Sequence, residues 1–324
     1  NPWNTAYSTG GSSGGSSALV ASGVIPIAHA NDGAGSIRIP ASCCGLVGLK
    51  ASRGRIKDKE VPGYLPANIL HDGVVTRSVR DTWAFHAEIE KNIPAKEFPA
   101  IGNISGSFPE KLKIAVLTEN CLGEDSSAEL VQATHDVARL CESLSHDVEM
   151  ISNPFYKKFD EDFWLLWAHF GFLIRYSVGK ELSSKFDHTQ LEQWPKYLIS
   201  RHWRNIHKVP VAFWRLRRFV SQYETFMQNF DILLTPTLGT TVPKLGFFGP
   251  EVSGQEHWER INDFLPFTKY QNISGAPAIT LPCGTDLKSL PIGIQLSSRL
   301  GEDRLLLKLS LQLEQNSNWK SLNK

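Results

Sequence analysis

The sequence predicts an α/β fold, read as one continuous domain over residues 1–324 with a helical insertion near 155–225. Three observations carry this. KIAVLT (113–118) reads as a strand. Residues 127–145 come next, with Leu130, Ala133, Val137, Cys141 and Leu144 at three-to-four spacing, and DVEMI (147–151) closes a strand–helix–strand unit. After residue 230 the alternation resumes: DILLTPT (231–237), PAITLP (277–282) and PIGIQLSS (291–298) read as strands, and EDRLLLKLSLQLEQ (302–315) as a closing helix. Between these blocks, 158–230 is helical and aromatic-rich, with Trp164, Trp167, Trp194, Trp203 and Trp214.

The elements before residue 113 are shorter. Residues 16–23 have small-residue helix character, and VIPIAHA (24–30) reads as a short buried strand. NDGAG (31–35) is expected as a tight loop. SIRIPASCCGLVGLK (36–50) leads from Ser36 into a small-residue helical segment. That order suggests a cluster of backbone amides at 33–36. DGVVTRSVRDTWAFHAEI (72–89) reads as a turn feeding a helix, with Ser78 and Asp81 as cap or first-turn residues.

Composition excludes several function classes. The chain of 324 residues is 41% hydrophobic and 21% charged, enough for a large core. A net charge of +1 gives no polyanion footprint, so no nucleic-acid partner is expected. Arg215, Arg217 and Arg218 are expected on a solvated helix face. The five cysteines contain no CxxC pair and read as free thiols in a reducing compartment, which places the chain in the cytoplasm. FWLLWAHFGFLI (163–174) is too short to span a bilayer and reads as a core or pocket-lining helix; no membrane partner is expected. The ten histidines show no metal-ligand spacing, so neither metal nor cofactor is expected. The chain begins with Asn, and the expectation is that its true N-terminus lies upstream.

GGSSGGSS (10–17) has the composition of a flexible spacer. The small, apolar stretch after residue 17 does not. Ser36 comes after Gly33-Ala34-Gly35, where small residues let backbone N–H groups face a substrate oxygen. Ser12 lies 24 residues earlier, between glycines. On their own these serines fit a cap or turn as readily as a nucleophile and its partner. Gly10–Gly14 also matches G-x-S-x-G, but NPWNTAYST is a poor strand to precede a nucleophile elbow.

Taken together, GGSSGGSSALVASGVIPIAHANDGAGSIRIPASCCGLVGLK resembles the amidase signature family across about forty residues. The later segments DGVVTRSVRDT, FDILLTPTLGTTVP, FTKYQNISGAPAITLPCG and LPIGIQLSSRLGEDRLLLKLSLQLE resemble it too. The form around AHANDGAGSIR is most similar to the branch containing 6-aminohexanoate-cyclic-dimer hydrolase. The resemblance implies a mixed central β-sheet covered by helices on both faces. It implies hydrolysis of a C–N bond in a small linear or cyclic amide by a Ser–Ser–Lys triad, without a cofactor. Ser36 matches the acylated nucleophile, and Ser12 the proton-relay serine on a cis peptide bond. The N–H groups of Gly33, Ala34, Gly35 and Ser36 match the oxyanion hole. Asp32, Arg38 and Ser13 match supporting positions, Asp32 and Arg38 as a pair bracing the loop. Ala34 stands where the family usually has Gly.

The resemblance places the catalytic lysine upstream of GGSSGG, where this chain has none. Lys50 matches a different lysine of the family motif. The chain as given is therefore expected to lack the terminal base and to be inactive alone. Two alternatives accompany this reading: the amidase subunit of a glutamine-dependent aminoacyl-tRNA amidotransferase, and a non-catalytic fragment that binds without cleaving. The expected partner is a small amide, and a second copy of the chain is an allowed one. His29 is expected to pack or hydrogen-bond beside the catalytic loop. Cys43 and Cys44 are expected as buried packing residues. Some of the helical tryptophans are expected to line a substrate funnel. Asn272 and Gln295 fall in family-like segments without an assigned role.

Overall fold

The computed structural model describes residues 1–56, 65–95, 97–103, 108, 111–178 and 183–317. Parts of the expected domain and of its helical insertion therefore lie outside the described residues. Among the described residues eight strands form one mixed sheet: β1 (Ile27–Asp32), β2 (Val47–Lys50), β3 (His71–Thr76), β4 (Lys113–Val116), β5 (Asp147–Met150), β6 (Ile232–Pro236), β7 (Ala278–Thr285) and β8 (Pro291–Ser297). Their order is β1-β3-β2-β7-β8-β6-β4-β5. The pairs from β1 through β6 are antiparallel, and β6, β4 and β5 run parallel. The parallel pair β4–β5 is joined by α4, as the strand–helix–strand pattern predicts.

Helices cover both faces. In chain order these are α1 (Gly14–Ala21), α2 (Arg38–Cys44), α3 (Val79–Asn92), α4 (Ala128–Ser143), α5 (Phe159–Leu173), α6 (Gln193–Asn205), α7 (Val209–Met227), α8 (Gly254–Phe264), α9 (Lys269–Ser274) and α10 (Asp303–Asn316). The two-residue period of β6 shows why two cores form. Ile232 and Leu234 pack with Trp83 of α3, Ala138 of α4 and Leu306 of α10. Leu233 points the other way, into a core with Phe159 of α5, Phe219 and Tyr223 of α7, and Ile39 of α2.

Some expectations are corrected. The first strand begins at Ile27, not Val24, and runs on to Asp32, so Asn31 and Asp32 are strand rather than loop. It is only half-buried because it is the edge of the sheet, paired with β3 alone. The segment read as helix through residue 50 ends at Cys44, and Val47–Lys50 form a four-residue strand buried along its whole length. HDGVVT is strand β3 and not a turn. Its Gly73 lets Ile37 approach so closely that a Cβ there would fall 2.8 Å from Ile37 Cδ1. The start of α3 is as expected, with the Ser78 side chain accepting from Asp81 N. Arg217 and Arg218 are exposed as expected, but Arg215 is not on a simple solvated face. It pairs with Asp162, which is 1% exposed, across α5 and α7.

Candidate active site

The GGSS segment enters α1 from an irregular turn. Gly10 has φ +73°, and a Cβ there would press on Cys43 Sγ at 3.0 Å, so glycine is required on both counts. The Gly11–Ser12 peptide is cis, as the resemblance implies. Ser13 fastens this segment to β1: its hydroxyl accepts from Asn31 N at 3.2 Å. Ser12 remains exposed.

The second half of the site is the chain reversal between β1 and α2. Asp32, 0% exposed, holds it from inside. Its Oδ1 accepts from Gly35 N at 2.7 Å and its Oδ2 from Ile37 N at 3.3 Å. Arg38 donates to both oxygens, from Nε and Nη2, at 2.9 Å each. Burial alone would raise the Asp32 carboxyl. The Arg38 guanidinium and the Asn272 amide outweigh it and hold the group far below the usual carboxylate range. Arg38 also donates to Gln295 Oε1 at 2.7 Å, Gln271 Oε1 at 3.2 Å and Asn272 Oδ1 at 2.7 Å. Thr268 donates to Ala34 O at 2.6 Å and pins the outer side of the loop.

This anchoring has a readable result. From Asp32 to Lys50 every residue is buried except Ser36. The loop presents Ser36 to a cleft of about 320 Å³, whose lining also includes Ser12, Ala34 and Ile39. Gly35, at φ +115°, turns its N–H inward to Asp32, so it is not among the donors open to the cleft. Among the described residues no acceptor takes the N–H groups of Gly33, Ala34 or Ser36. The arrangement offers two hydroxyls, Ser36 and Ser12, in one cleft lining, with unpaired amides in the Ser36 loop. That combination suits attack on a carbonyl and retention of the resulting oxyanion.

Lys50 lies behind the loop. It is 0% exposed, donates to Ala51 O at 2.9 Å and does not line the cleft. Burial, with Arg38 next in effect, pushes its pKa down to about 7 from an ordinary 10.5. The unfolded lysine thus holds its proton more tightly than the folded one between those values. Stability should rise with pH across that window and be lowest below it. Lys50→Met is therefore expected to gain most over the native chain below pH 7, with the gain shrinking toward pH 10; urea melts at pH 6 and pH 9.5 check this.

Several contributors escaped the sequence reading. Gln271 and Thr268 lie in the family-like segment FTKYQNISGAPAITLPCG but drew no role, because their partners Arg38 and Ala34 are more than 200 residues away in sequence. Asn272 and Gln295 stood out without a role, and both now close on Arg38. Trp164, Trp167 and Trp194 line the cleft, whereas Trp203 and Trp214 are exposed on the outside at 51% and 55%. His29 bonds to Asp72 on the solvent side of β1. Cys43 and Cys44 are buried, and burial raises both thiols, Cys44 to about 12. Among the described residues no cluster of His, Cys, Asp or Glu is placed to hold a metal ion, and no helix is long and apolar enough to cross a membrane.

A family model described as Amidase matches residues 1–307. AmiC of Mycobacterium tuberculosis, an amidase by name, is 41% identical over 320 residues, covering 98% of this chain and 67% of its own length. The 6-aminohexanoate-cyclic-dimer hydrolase of Paenarthrobacter ureafaciens is 32% identical over 348 residues, covering 98% of this chain and 69% of its own length. A solved structure of 6-aminohexanoate cyclic dimer hydrolase matches with a TM-score of 0.80 at 30% identity, covering 98% of this chain and 70% of that one. The chain thus spans about two thirds of the relatives it matches.

Proposed function

The chain belongs to the amidase family, and on that premise we propose that Ser36 is the nucleophile of an amide hydrolase and Ser12 its proton relay. Hydrolysis of a carbon–nitrogen amide bond is the activity of this family. What supports the residue roles is the exposure of Ser36 alone in an otherwise buried run, beside unpaired amides and in one cleft lining with Ser12.

In this reading Ser36 Oγ attacks the amide carbonyl carbon. Its proton passes to Ser12, and the oxyanion takes hydrogen bonds from the N–H groups of Gly33, Ala34 and Ser36. Collapse of the tetrahedral species breaks the C–N bond, and the proton returned through Ser12 leaves with the amine. Water then attacks the acyl-enzyme along the same route and frees the acid and Ser36. Asp32 and Arg38 act through the loop and hold its donors in place before substrate arrives. The relay ends, by family resemblance, on a lysine. Among the described residues no lysine lines the cleft, and Lys50 faces Ala51 instead. The resemblance puts that lysine upstream of GGSSGG in the family pattern, and the parent protein in the tests below means a full-length protein that carries this chain together with such a segment. The substrate is a small amide. The cleft's size fits the lower end of small-molecule sites, about 300–1,000 Å³.

An acyl-enzyme can be intercepted. With hydroxylamine present, the parent protein is expected to form the acyl hydroxamate and the acid in a ratio independent of the leaving amine. A ratio that changes between an anilide and a primary amide of the same acyl group would mean that no common acyl-enzyme forms.

A further inference from the structure

The serine chemistry leaves the outer wall of the cleft unexplained. Trp164 and Trp167 of α5, Trp194 of α6, Phe248, and His257 and Phe264 of α8 line it together with Ser12 and Ser36. No Asp, Glu, Lys or Arg belongs to the lining, and His257 is its one titratable side chain among the described residues. Burial, helped by Arg260, holds that imidazole below its ordinary 6.5 and so disfavours its charged form.

The wall is built rather than adventitious. His257 stacks on Trp194 with ring centroids 4.3 Å apart and planes at 11°. Phe248 meets His257 at 5.1 Å and Phe264 at 5.4 Å. The polar edge of Trp164 is turned out of play, its Nε1 donating to Asn262 Oδ1 at 2.7 Å. The helices that carry the wall are locked together: a Cβ on Gly254, the first residue of α8, would fall 2.3 Å from Tyr197 Cβ of α6. Trp167 lies directly against the serine loop, where a Cβ on Gly33 would come 3.1 Å from its ring.

A charged group entering such a cleft loses hydration and finds no counter-ion among the described lining residues, whereas a flat apolar group exchanges water for ring faces. We propose that this cleft selects uncharged amides carrying an aromatic or similarly flat apolar group, and rejects amides that bring a carboxylate or an ammonium group into it. Trp167, against the loop that bears Ser36, and Phe248, packed on His257 and Phe264, set that preference. This selectivity deepens the Ser36 assignment and presupposes it only for turnover, not for binding.

The test uses the parent protein and four amides: propanamide, 3-phenylpropanamide, and the latter with a para-carboxylate or a para-aminomethyl group. The phenyl amide is expected to exceed propanamide in kcat/KM by at least about tenfold, and each charged analogue by at least about tenfold. Calorimetric titration of the Ser36→Ala variant should show the same order of affinities without turnover. Charged analogues within about threefold of the phenyl amide, or a phenyl amide no better than propanamide, would overturn the proposal. Phe248→Ala should cut the phenyl-to-propanamide ratio at least about fivefold; an unchanged ratio in a folded variant counts against it. The two readings fail separately. Hydrolysis without preference sinks the selectivity and leaves Ser36 standing, whereas preferred binding with undiminished turnover in Ser36→Ala does the reverse.

Discussion

Replacing Ser36 with alanine in the parent protein is expected to lower kcat/KM for any amide by at least about 10⁴-fold. In the proposed mechanism this side chain forms the covalent bond, and no other hydroxyl emerges from the run between Asp32 and Lys50. Ser42 and the thiols of Cys43 and Cys44 are nearby in sequence but buried, and burial raises both thiols. The surrounding fold should survive, since the Ser36 side chain sits at the cleft and takes no part in the Asp32–Arg38 network. Residual turnover reports what the oxyanion donors alone contribute. Steady-state kinetics decides the matter, and a loss smaller than about tenfold would place the nucleophile elsewhere.

The largest effect on stability is expected from Asp32→Ala, at about 3–5 kcal/mol. Arg38 is 0% exposed, and removing its carboxylate partner leaves a guanidinium buried among amide oxygens of Gln271, Asn272 and Gln295. The Gly35 and Ile37 N–H groups lose their acceptor at the same time. Because the folded carboxyl titrates below its ordinary 3.8, the stability it contributes is present above that value and is lost as the pH falls beneath it. Asp32→Asn keeps an acceptor and should cost less. Urea denaturation of both variants measures the difference, and a cost under about 1 kcal/mol for alanine would show that the loop does not depend on this pair.

The catalytic loop was legible because its determinants are contiguous. Gly10 to Lys50 holds the small residues, both serines and the Asp32–Arg38 pair in one stretch that the family resemblance covers; in the structure Asp32 pairs with Arg38, and both serines line one cleft. The inward turn of the Gly35 N–H was not legible. It depends on Asp32 folding back beneath the loop, and spacing alone counts every amide as a donor. Strands β2 and β3 escaped for different reasons. Val47–Lys50 is short, buried on both faces and shows no alternation, and the Asp72-Gly73 pair imitates a turn. The convergence on Arg38 was not legible, since Gln271, Asn272 and Gln295 lie more than 200 residues from it in sequence. The helical tryptophans divided between cleft and surface according to which face of α5, α6 and α7 carries them, which periodicity shows only once the packing partner is known.

The central claim is that Ser36 carries the acyl group, and covalent labelling addresses it most directly. The parent protein is treated with a fluorophosphonate, digested, and the modified residue located by tandem mass spectrometry. The expected result is one adduct on Ser36, absent in Ser36→Ala and slowed in Ser12→Ala, where the relay is interrupted. An adduct on Ser12, on Ser13 or on any residue outside the loop, or labelling that persists in Ser36→Ala, would contradict the account.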